Sequence, residues 1–221
     1  MAVEPSRCPK VPSMAAFTEA KFPAPEPRAV RHDDVVRHRI GPNAIIQTRM
    51  ALRELTSDET CRAIFVQARL YDFLDRDPAG MVDERQVAAL FLAIGATLSP
   101  AEAGRVLRQS GRLTGHYIWA NRIPPLARRA LRILPSAIAR RVLLRAIAAH
   151  AWTFAGSGSV RVEMWPACAV RISANPIATP GCAWHLGVFE MLFGVVAGSP
   201  VRVRHTACCS RSDGHCRTVI G

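Results

Sequence analysis

The spacing of apolar residues predicts helices between about residues 42 and 150. Apolar side chains recur there every three or four positions, which is the spacing of one buried helical face. Local signals agree, because Ser57 can cap a helix and Ser99 forms a capping box with Glu102, with Pro100 at the first helical position. The predicted helices cover 42–55, a segment after Ser57, 83–95, a segment after Ser99, 124–134 and 136–150.

The last two of these helices carry many arginines. Pro135 separates them because proline cannot continue the first one. The second is predicted to be amphipathic. Its apolar face is predicted to hold Ile138, Val142 and Ile147, roughly opposite Arg140, Arg141 and Arg145.

After Gly156-Ser157-Gly158 the pattern changes to the alternation that is typical of strands. Strands are predicted at 159–165 and 168–174, a helix at 181–197, a third strand from Val201, and a last strand through Ile220 after a hairpin turn at Asp213-Gly214. A helical half followed by strand–strand–helix–strand–strand predicts an α+β fold, with the helices packed on a small antiparallel sheet.

The chain divides into a tail and one domain. Residues 1–35 contain six prolines and no periodic apolar pattern, so they are predicted to be a flexible tail. Residues 36–221 are predicted to form a single domain, with a helical part at 36–155 and a sheet part at 156–221. The sequence shows no apolar signal core near its start and no uninterrupted run of the ~20 apolar residues that cross a bilayer. We therefore expect a cytoplasmic protein with reduced cysteines.

The net charge of +12 is concentrated in arginine, since only two of the 29 basic residues are lysines. Residues 103–162 contain eleven arginines and neither Asp nor Glu. Such a surface could meet nucleic acid, an anionic membrane or an acidic protein, or could simply be solvated. Nucleic acid is the weakest of these partners, because no helix-turn-helix, zinc-finger or base-stacking signature is present.

Cysteine and histidine residues cluster in the predicted C-terminal unit. Cys182 lies at the start of a helix, His205 on the inward side of a strand, and Cys208 and Cys216 on either side of the predicted hairpin turn. Three thiolates and one imidazole make a complete tetrahedral set for structural Zn²⁺. The spacing also fits four unrelated side chains, and Cys209 could take the place of Cys208.

Several segments resemble the 4-vinyl-reductase domain family, and in particular its members from bacteriochlorophyll synthesis in phototrophic bacteria. The resemblance rests on residues 181–190 (GCAWHLGVFE) with Cys208, Gly214 and Cys216, and on residues 40–44 (IGPNA) and 150–158 (HAWTFAGSG). It runs from about residue 38 to the end. It implies a fold similar to the small subunits of the trafficking tethering complex. Related phenol-sensing domains bind zinc through Cys, Glu, Cys and Cys, and His205 stands at the position of that glutamate.

The resemblance implies one of two roles in pigment synthesis. The family name implies an 8-vinyl reductase acting on divinyl protochlorophyllide, whereas later views of the family imply a carrier of magnesium tetrapyrroles that serves magnesium chelatase or another pigment-synthesis enzyme. The sequence favours the carrier, because no Gly-x-Gly-x-x-Gly follows a strand and no cysteine spacing fits a ferredoxin cluster. No catalytic residue is therefore assigned. A small-molecule sensor or scaffold module is the third function considered.

A magnesium tetrapyrrole needs flat apolar walls, an axial ligand for magnesium and a cation for its propionate. Aromatic residues are the candidate walls, histidines near them the candidate axial ligands, and arginines of the acid-free run the candidate propionate partners. The candidates are Trp119, Trp152, Phe154 and Trp165 as walls, His150, His116 and His185 as ligands, and Arg122 and Arg145 as cations. For each of these side chains an ordinary structural role is the alternative. The arginine-rich helices are further expected to dock on an acidic enzyme or on the surface of the photosynthetic membrane.

Overall fold

A computed structural model describes residues 38–221, in which helices come first and a sheet second. The predicted tail, residues 1–35, lies outside the described residues. The helices are α1 (Asn43–Leu55), α2 (Asp58–Gln67), α3 (Glu84–Thr97), α4 (Pro100–Asn121), α5 (Pro125–Ile133), α6 (Ser136–Ala149), α7 (Trp152–Ala155) and α8 (Ala183–Ala197). The predicted caps are present: Thr60 N donates to Ser57 Oγ (3.1 Å), and the Ser99–Glu102 capping box opens α4.

The strands confirm the predicted α+β class. A two-residue ribbon, β1 (Arg39–Ile40) with β2 (Val82–Asp83), lies in the helical half. The sheet contains β3 (Ser159–Glu163), β4 (Cys168–Ser173), β5 (Val203–Ala207) and β6 (His215–Ile220), in the order β3-β4-β6-β5, and all its pairs are antiparallel. α8 connects β4 to β5. The buried face of the sheet carries Val170, Ile172, Cys216, Thr218 and Ile220.

The helix α8 is apolar because it lies at the centre of the core. Residues Pro180–Ala197 are long and apolar enough, by composition, to cross a membrane, with a mean hydropathy of 1.3, yet half of the segment is buried inside the protein. Trp184, Phe189 and Phe193 are almost fully buried. Packing between α4 and the sheet therefore accounts for the composition of this helix.

Glycines allow the backbones of α4 and α8 to touch. A Cβ on Gly111 would overlap the carbonyl oxygen of Trp184 and lie 2.9 Å from the backbone nitrogen of Val188. A Cβ on Gly187 would overlap a backbone carbonyl of α4 and lie 2.9 Å from the nitrogen of Arg112. Since any side chain at either position would separate the two helices, this crossing fixes where α8 lies.

A buried carboxylate ties the helical half to the start of the sheet. Glu84, at the beginning of α3, accepts hydrogen bonds from Ser157 N (2.6 Å), Ser157 Oγ (2.8 Å) and His38 Nδ1 (2.9 Å). Gly156 adopts φ +56°, and a Cβ there would overlap Glu84 Oε2. The Gly156-Ser157-Gly158 loop is therefore shaped around this carboxylate.

The predicted apolar face of α6 is wrong in part. The helix buries Ala139, Leu143, Leu144 and Ile147, whereas Ile138 and Val142 remain 46% and 42% exposed. A helix can bury only one face, and the face centred on Leu143 carries the larger and more continuous set of apolar side chains. Ile138 and Val142 consequently project on the outer side, together with Arg141 and Arg145.

The close helix crossing predicts a strong effect of one methyl group. Gly111→Ala should lower the free energy of unfolding by about 1–3 kcal/mol, because the new Cβ meets backbone atoms that cannot move independently. Urea unfolding followed by circular dichroism measures the change.

The matched control is Gly104→Ala on the same helix, where a Cβ meets no atom within 4 Å. Alanine has the higher helix propensity, so this variant should be neutral or more stable than the parent protein. Equal destabilisation by the two substitutions would contradict the close crossing.

Candidate metal centre

Four side chains from separate parts of the C-terminal unit converge on one point. The ligand atoms of Cys182, His205, Cys208 and Cys216 all lie within 4.8 Å of one another. Cys182 Sγ is 3.7 Å from Cys208 Sγ and 3.5 Å from Cys216 Sγ, and all three cysteines are buried. The set contains Cys208 and not Cys209, so the alternative left open by the sequence is not the arrangement of the structure.

A left-handed turn delivers Cys182 to the cluster. Gly181 has φ +74°, and Cys182, which immediately precedes α8, has φ +45° and ψ +45°. Such a conformation costs a non-glycine residue about 1–2 kcal/mol, so the surrounding structure must hold it in place. The N-terminus of a helix also favours a thiolate.

The segment between β5 and β6 delivers the other three ligands. His205 pairs with Thr218 across the two strands, and the register shifts between His205 and Ala207. The strands end at Ala207 and restart at His215, so the connection is longer than the tight Asp213-Gly214 hairpin that the sequence predicts. The reason is that Asp213 Oδ2 accepts a hydrogen bond from Cys208 N (2.7 Å) and folds the intervening residues into a compact loop.

Donor groups surround the sulfurs. Asn175 Nδ2 donates to Cys216 Sγ (3.4 Å), as does the backbone N–H of Cys209 (3.3 Å), and Ser210 Oγ lies 2.9 Å from Cys208 Sγ. Sequence reasoning missed Asn175, Ser210 and Asp213, because their spacing from the ligands carries no metal-site signal. Donors of this kind stabilise thiolates and orient them towards a metal.

His205 is oriented in the same way. Its Nδ1 lies 3.4 Å from Thr218 Oγ1, whereas its Nε2 is buried without a hydrogen-bond partner in the described part of the chain. A buried polar nitrogen without a partner costs free energy unless something else binds it. A metal ion among the three sulfurs would supply that partner.

The charges of the three sulfurs are in conflict. Hydrogen bonds from its neighbours Cys182 and Cys216 lower the pKa of Cys208, whereas the sharing of those bonds, together with burial, raises the pKa of Cys182. The cluster alone therefore holds its negative charge mainly on Cys208. A divalent cation would allow all three sulfurs to be thiolates.

The donor set and the distances fit zinc. Ligands about 2.3 Å from a tetrahedral zinc ion lie roughly 3.8 Å apart, and the two sulfur separations given above are 3.7 and 3.5 Å. Four protein ligands leave no open coordination position, which is the pattern of a structural rather than a catalytic site. Such a site would hold the start of α8 against β5 and β6.

The structure places the nine candidate tetrapyrrole residues on several elements and does not bring them into one site. Phe154 and His185 are buried together, with ring centroids 6.2 Å apart, and Trp119 is buried beneath Arg132, whose guanidinium lies 5.6 Å from its ring. The other six are exposed: His116, Arg122, Arg145, His150, Trp152 and Trp165. Their role in binding stays a prediction.

An open cleft lies beside Trp119. Its volume is about 700 Å³, and it is bounded by Arg132 of α5, by the C-terminal half of α8 and by the following residues 198–200. Met191, Gly194 and Val195 form much of its apolar wall. Glu190 at its rim accepts hydrogen bonds from Arg108 and Arg112 of α4. Sequence reasoning missed Arg132 as part of a cleft, because its neighbours there come from a distant helix.

The comparisons with known proteins agree with the order of these elements. Residues 161–221, which contain the whole Cys/His cluster, match the model of the 4-vinyl-reductase domain. The chain is 42% identical over 188 residues to the bacteriochlorophyll synthase 23 kDa chain of Cereibacter sphaeroides, covering 82% of this chain and 90% of that protein. It is 41% identical over 189 residues to the protein of the same name from Rhodobacter capsulatus, covering 82% of this chain and 86% of that protein.

The buried imidazole of His185 predicts a pH-dependent stability. Burial is the main cause that lowers the pKa of His185 to about 4, despite a hydrogen bond to the backbone of Phe154. Between about pH 6.5 and pH 4 the unfolded chain binds a proton at this residue and the folded chain does not. Stability therefore falls as the pH falls through this window, by up to about 1.4 kcal/mol per pH unit.

His185→Phe removes this contribution and leaves the other acid-sensitive groups, including the Cys/His cluster, in place. The loss of unfolding free energy between pH 7 and pH 5 should be smaller in the variant by about 2 kcal/mol. Urea unfolding at a series of pH values measures both profiles. Parallel profiles would show that His185 is not held neutral.

Proposed function

The chain belongs to the family of bacteriochlorophyll synthase 23 kDa chains and is a bacteriochlorophyll-biosynthesis-associated protein with a 4-vinyl-reductase domain, and on this premise we propose that it binds a magnesium tetrapyrrole precursor and delivers it. The precursor is of the divinyl protochlorophyllide or magnesium protoporphyrin type. Magnesium chelatase or another pigment-synthesis enzyme is the expected partner in this transfer.

The cleft between α5 and α8 is the observation that carries the proposal. Its volume of about 700 Å³ is that of a site for a cofactor-sized ligand. Met191 and Val195 offer an apolar wall to a flat ring, and Arg132 can pair with a propionate through its planar fork. Trp119, one of the predicted wall residues, lies directly beneath that guanidinium.

An axial ligand for magnesium would come from α4. His116 is exposed and lies one turn before Trp119, next to Gly115, where a Cβ would come within 2.9 Å of Met191 Cβ in the cleft wall. It is therefore the candidate histidine that we favour. His185 is less suitable, because its ring is enclosed by Phe154, Trp184 and Phe189 in the core.

The glycine-rich loop favours a carrier over the alternative, an 8-vinyl reductase. A nicotinamide-dependent reductase needs a loop whose backbone N–H groups cradle the cofactor's phosphates. In the Gly156-Ser157-Gly158 loop, the N–H of Ser157 already donates to the carboxylate of Glu84 at 2.6 Å. A carboxylate at that position would repel a phosphate, so this loop does not suit one.

Zinc is part of the proposal as a structural ion. Cys182, His205, Cys208 and Cys216 would hold it, and the donors from Asn175 and from the backbone would orient the sulfurs. The ion supplies a cation that neutralises three thiolates. The chain's own residues then keep the first turn of α8, which leads into the wall of the cleft, in a fixed position on the sheet.

Binding and turnover can be separated in one experiment. Purified protein mixed with divinyl protochlorophyllide should bind one pigment per chain and shift its Soret absorbance. Added NADPH or reduced ferredoxin should leave the 8-vinyl group intact, as measured by chromatography of the extracted pigment. Loss of the vinyl group with the purified protein alone would favour the reductase, and a pigment that never stays with the protein would refute both roles.

A variant places the pigment in the cleft. Gly194→Leu should weaken binding roughly tenfold or more, because its side chain would fill part of the cleft that an apolar ring must occupy. A Cβ at Gly194 meets only Ser199 O at 3.7 Å, so the fold should tolerate it. Gly104→Leu, at an open helical position of α4, is the matched control and should bind like the parent protein.

The zinc site has its own measurement. Protein purified under reducing conditions should contain one zinc ion per chain, and Cys216→Ser should lose most of it and melt at a lower temperature. Cys168→Ser is the control, since Cys168 is also a free cysteine of the sheet but lies outside the cluster. Metal analysis that finds no zinc in the parent protein, or equal zinc in both variants, would overturn the assignment.

A further inference from the structure

The outer faces of α5 and α6 form a surface that the proposed pigment site does not use. We call it the arginine ridge and define it by Leu126, Arg129, Ile133, Ile138, Arg141, Val142 and Arg145. Leu126 and Ile133 are 77% and 84% exposed, and Ile138 and Val142 are 46% and 42% exposed. Large aliphatic side chains therefore project into solvent among arginines.

Helix geometry places these side chains on the side that faces away from the protein. In α5 only Leu131 is buried, and Leu126 and Ile133, seven residues apart, lie nearly opposite it. Arg129 stands between them, three residues after one and four before the other. In α6 the pairs Ile138–Val142 and Arg141–Arg145 are each separated by one turn and lie opposite the buried stripe.

The arginines of the ridge are not neutralised by neighbouring side chains. Within residues 38–221, Arg129, Arg141 and Arg145 take part in none of the ion pairs. The sequence explains this, since residues 103–162 contain no Asp or Glu. The carboxylates nearest in the fold are occupied elsewhere, as Glu190 is by Arg108 and Arg112. The ridge therefore presents its charge to whatever lies outside.

We propose that the arginine ridge docks on the surface of a lipid bilayer that contains anionic headgroups. Aliphatic side chains flanked by arginines on short helices are suited to lie at the boundary between headgroups and acyl chains. Each arginine near such a surface adds electrostatic attraction. The stems of the arginines can lie along the apolar region while the guanidinium groups remain among the phosphates.

Two other occupants fit less well. A second copy of the ridge would bring arginines against arginines, which costs binding free energy. A protein partner usually buries aromatic anchors in a well-packed patch, whereas the ridge offers isolated aliphatic side chains and no aromatic one. Charge and shape together favour a fluid, anionic and partly apolar partner.

Sedimentation with vesicles tests the ridge without any pigment. The full chain should sediment with vesicles of phosphatidylcholine containing about 30% phosphatidylglycerol and remain in solution with pure phosphatidylcholine vesicles. Binding should weaken as salt is raised, because exposed charges are screened. Absence of binding to the anionic vesicles would overturn the proposal, and retention on an immobilised acidic protein in that case would indicate a protein partner.

Two variants separate the apolar and the charged contributions. Leu126→Ser with Ile133→Ser, and separately the triple change of Arg129, Arg141 and Arg145 to Gln, should each weaken vesicle binding roughly tenfold or more. Both sets are on the surface, so the unfolding temperature should change little. If only the glutamine variant loses binding, the attraction is purely electrostatic and insertion of the ridge is refuted.

Matched controls carry the same changes elsewhere. Met50 and Val66 are 48% and 53% exposed and can be changed to Ser. Arg62, Arg76 and Arg204 are exposed and can be changed to Gln. These variants carry the same number of apolar or charged changes as the ridge variants, so they should bind vesicles like the parent protein. Equal losses in ridge and control variants would show that net charge or overall hydrophobicity, and not the ridge, governs binding.

Discussion

The contact between the backbones of α4 and α8 is the constraint on which the rest of the structure depends. Because Gly111 and Gly187 have no side chains, α8 lies directly on α4, and its buried aromatic residues fill the space between α4 and the sheet. One end of α8 then begins at Cys182 in the Cys/His cluster, and the other half forms the wall of the cleft. A shift of α8 would move both sites together. The two sites are thus linked by one rigid helix, although they use none of the same residues.

The cluster and the carboxylate of Glu84 address the same physical problem at different places. A four-stranded sheet exposes one face and two edges, and the segments that enter and leave it need fixed positions. Glu84 fixes the loop before β3 by accepting hydrogen bonds from Ser157. The three sulfurs and His205 bring together the start of α8, β5 and β6. Without a cation, however, the cluster leaves sulfurs in conflict over one charge and an imidazole nitrogen without a partner among the described residues, which is why we assign it an ion.

The sequence predicts features that depend on local chemistry and fails where distant packing decides. Caps at Ser57 and Ser99 and the alternation of residues 159–163 act within a few residues, so the helices, the strands and the α+β class were all predictable. The grouping of Cys182, His205, Cys208 and Cys216 was predictable because strand phase and a reversal of the chain bring them near one another. The roles of Asn175 and Arg132 depend on segments far away in the sequence, and no local pattern reports them. The buried face of α6 was misjudged because two aliphatic stripes compete on one helix, and only the packing partner decides between them.

The distribution of charge connects the cleft to the arginine ridge. The buried or partly buried carboxylates Glu84, Glu163 and Glu190 are each bound by donors of the protein itself, so the excess of arginine is expressed outside. α5 lies between the two features: Arg132 faces the cleft, whereas Leu126 and Ile133 face away from the protein. Docking of the ridge would therefore bring the mouth of the cleft close to the lipid surface. A magnesium tetrapyrrole has a flat apolar ring and a charged propionate, so it partitions to the same boundary as the ridge. One short helix would then present a guanidinium to the ligand on one side and hold the protein at the ligand's source on the other.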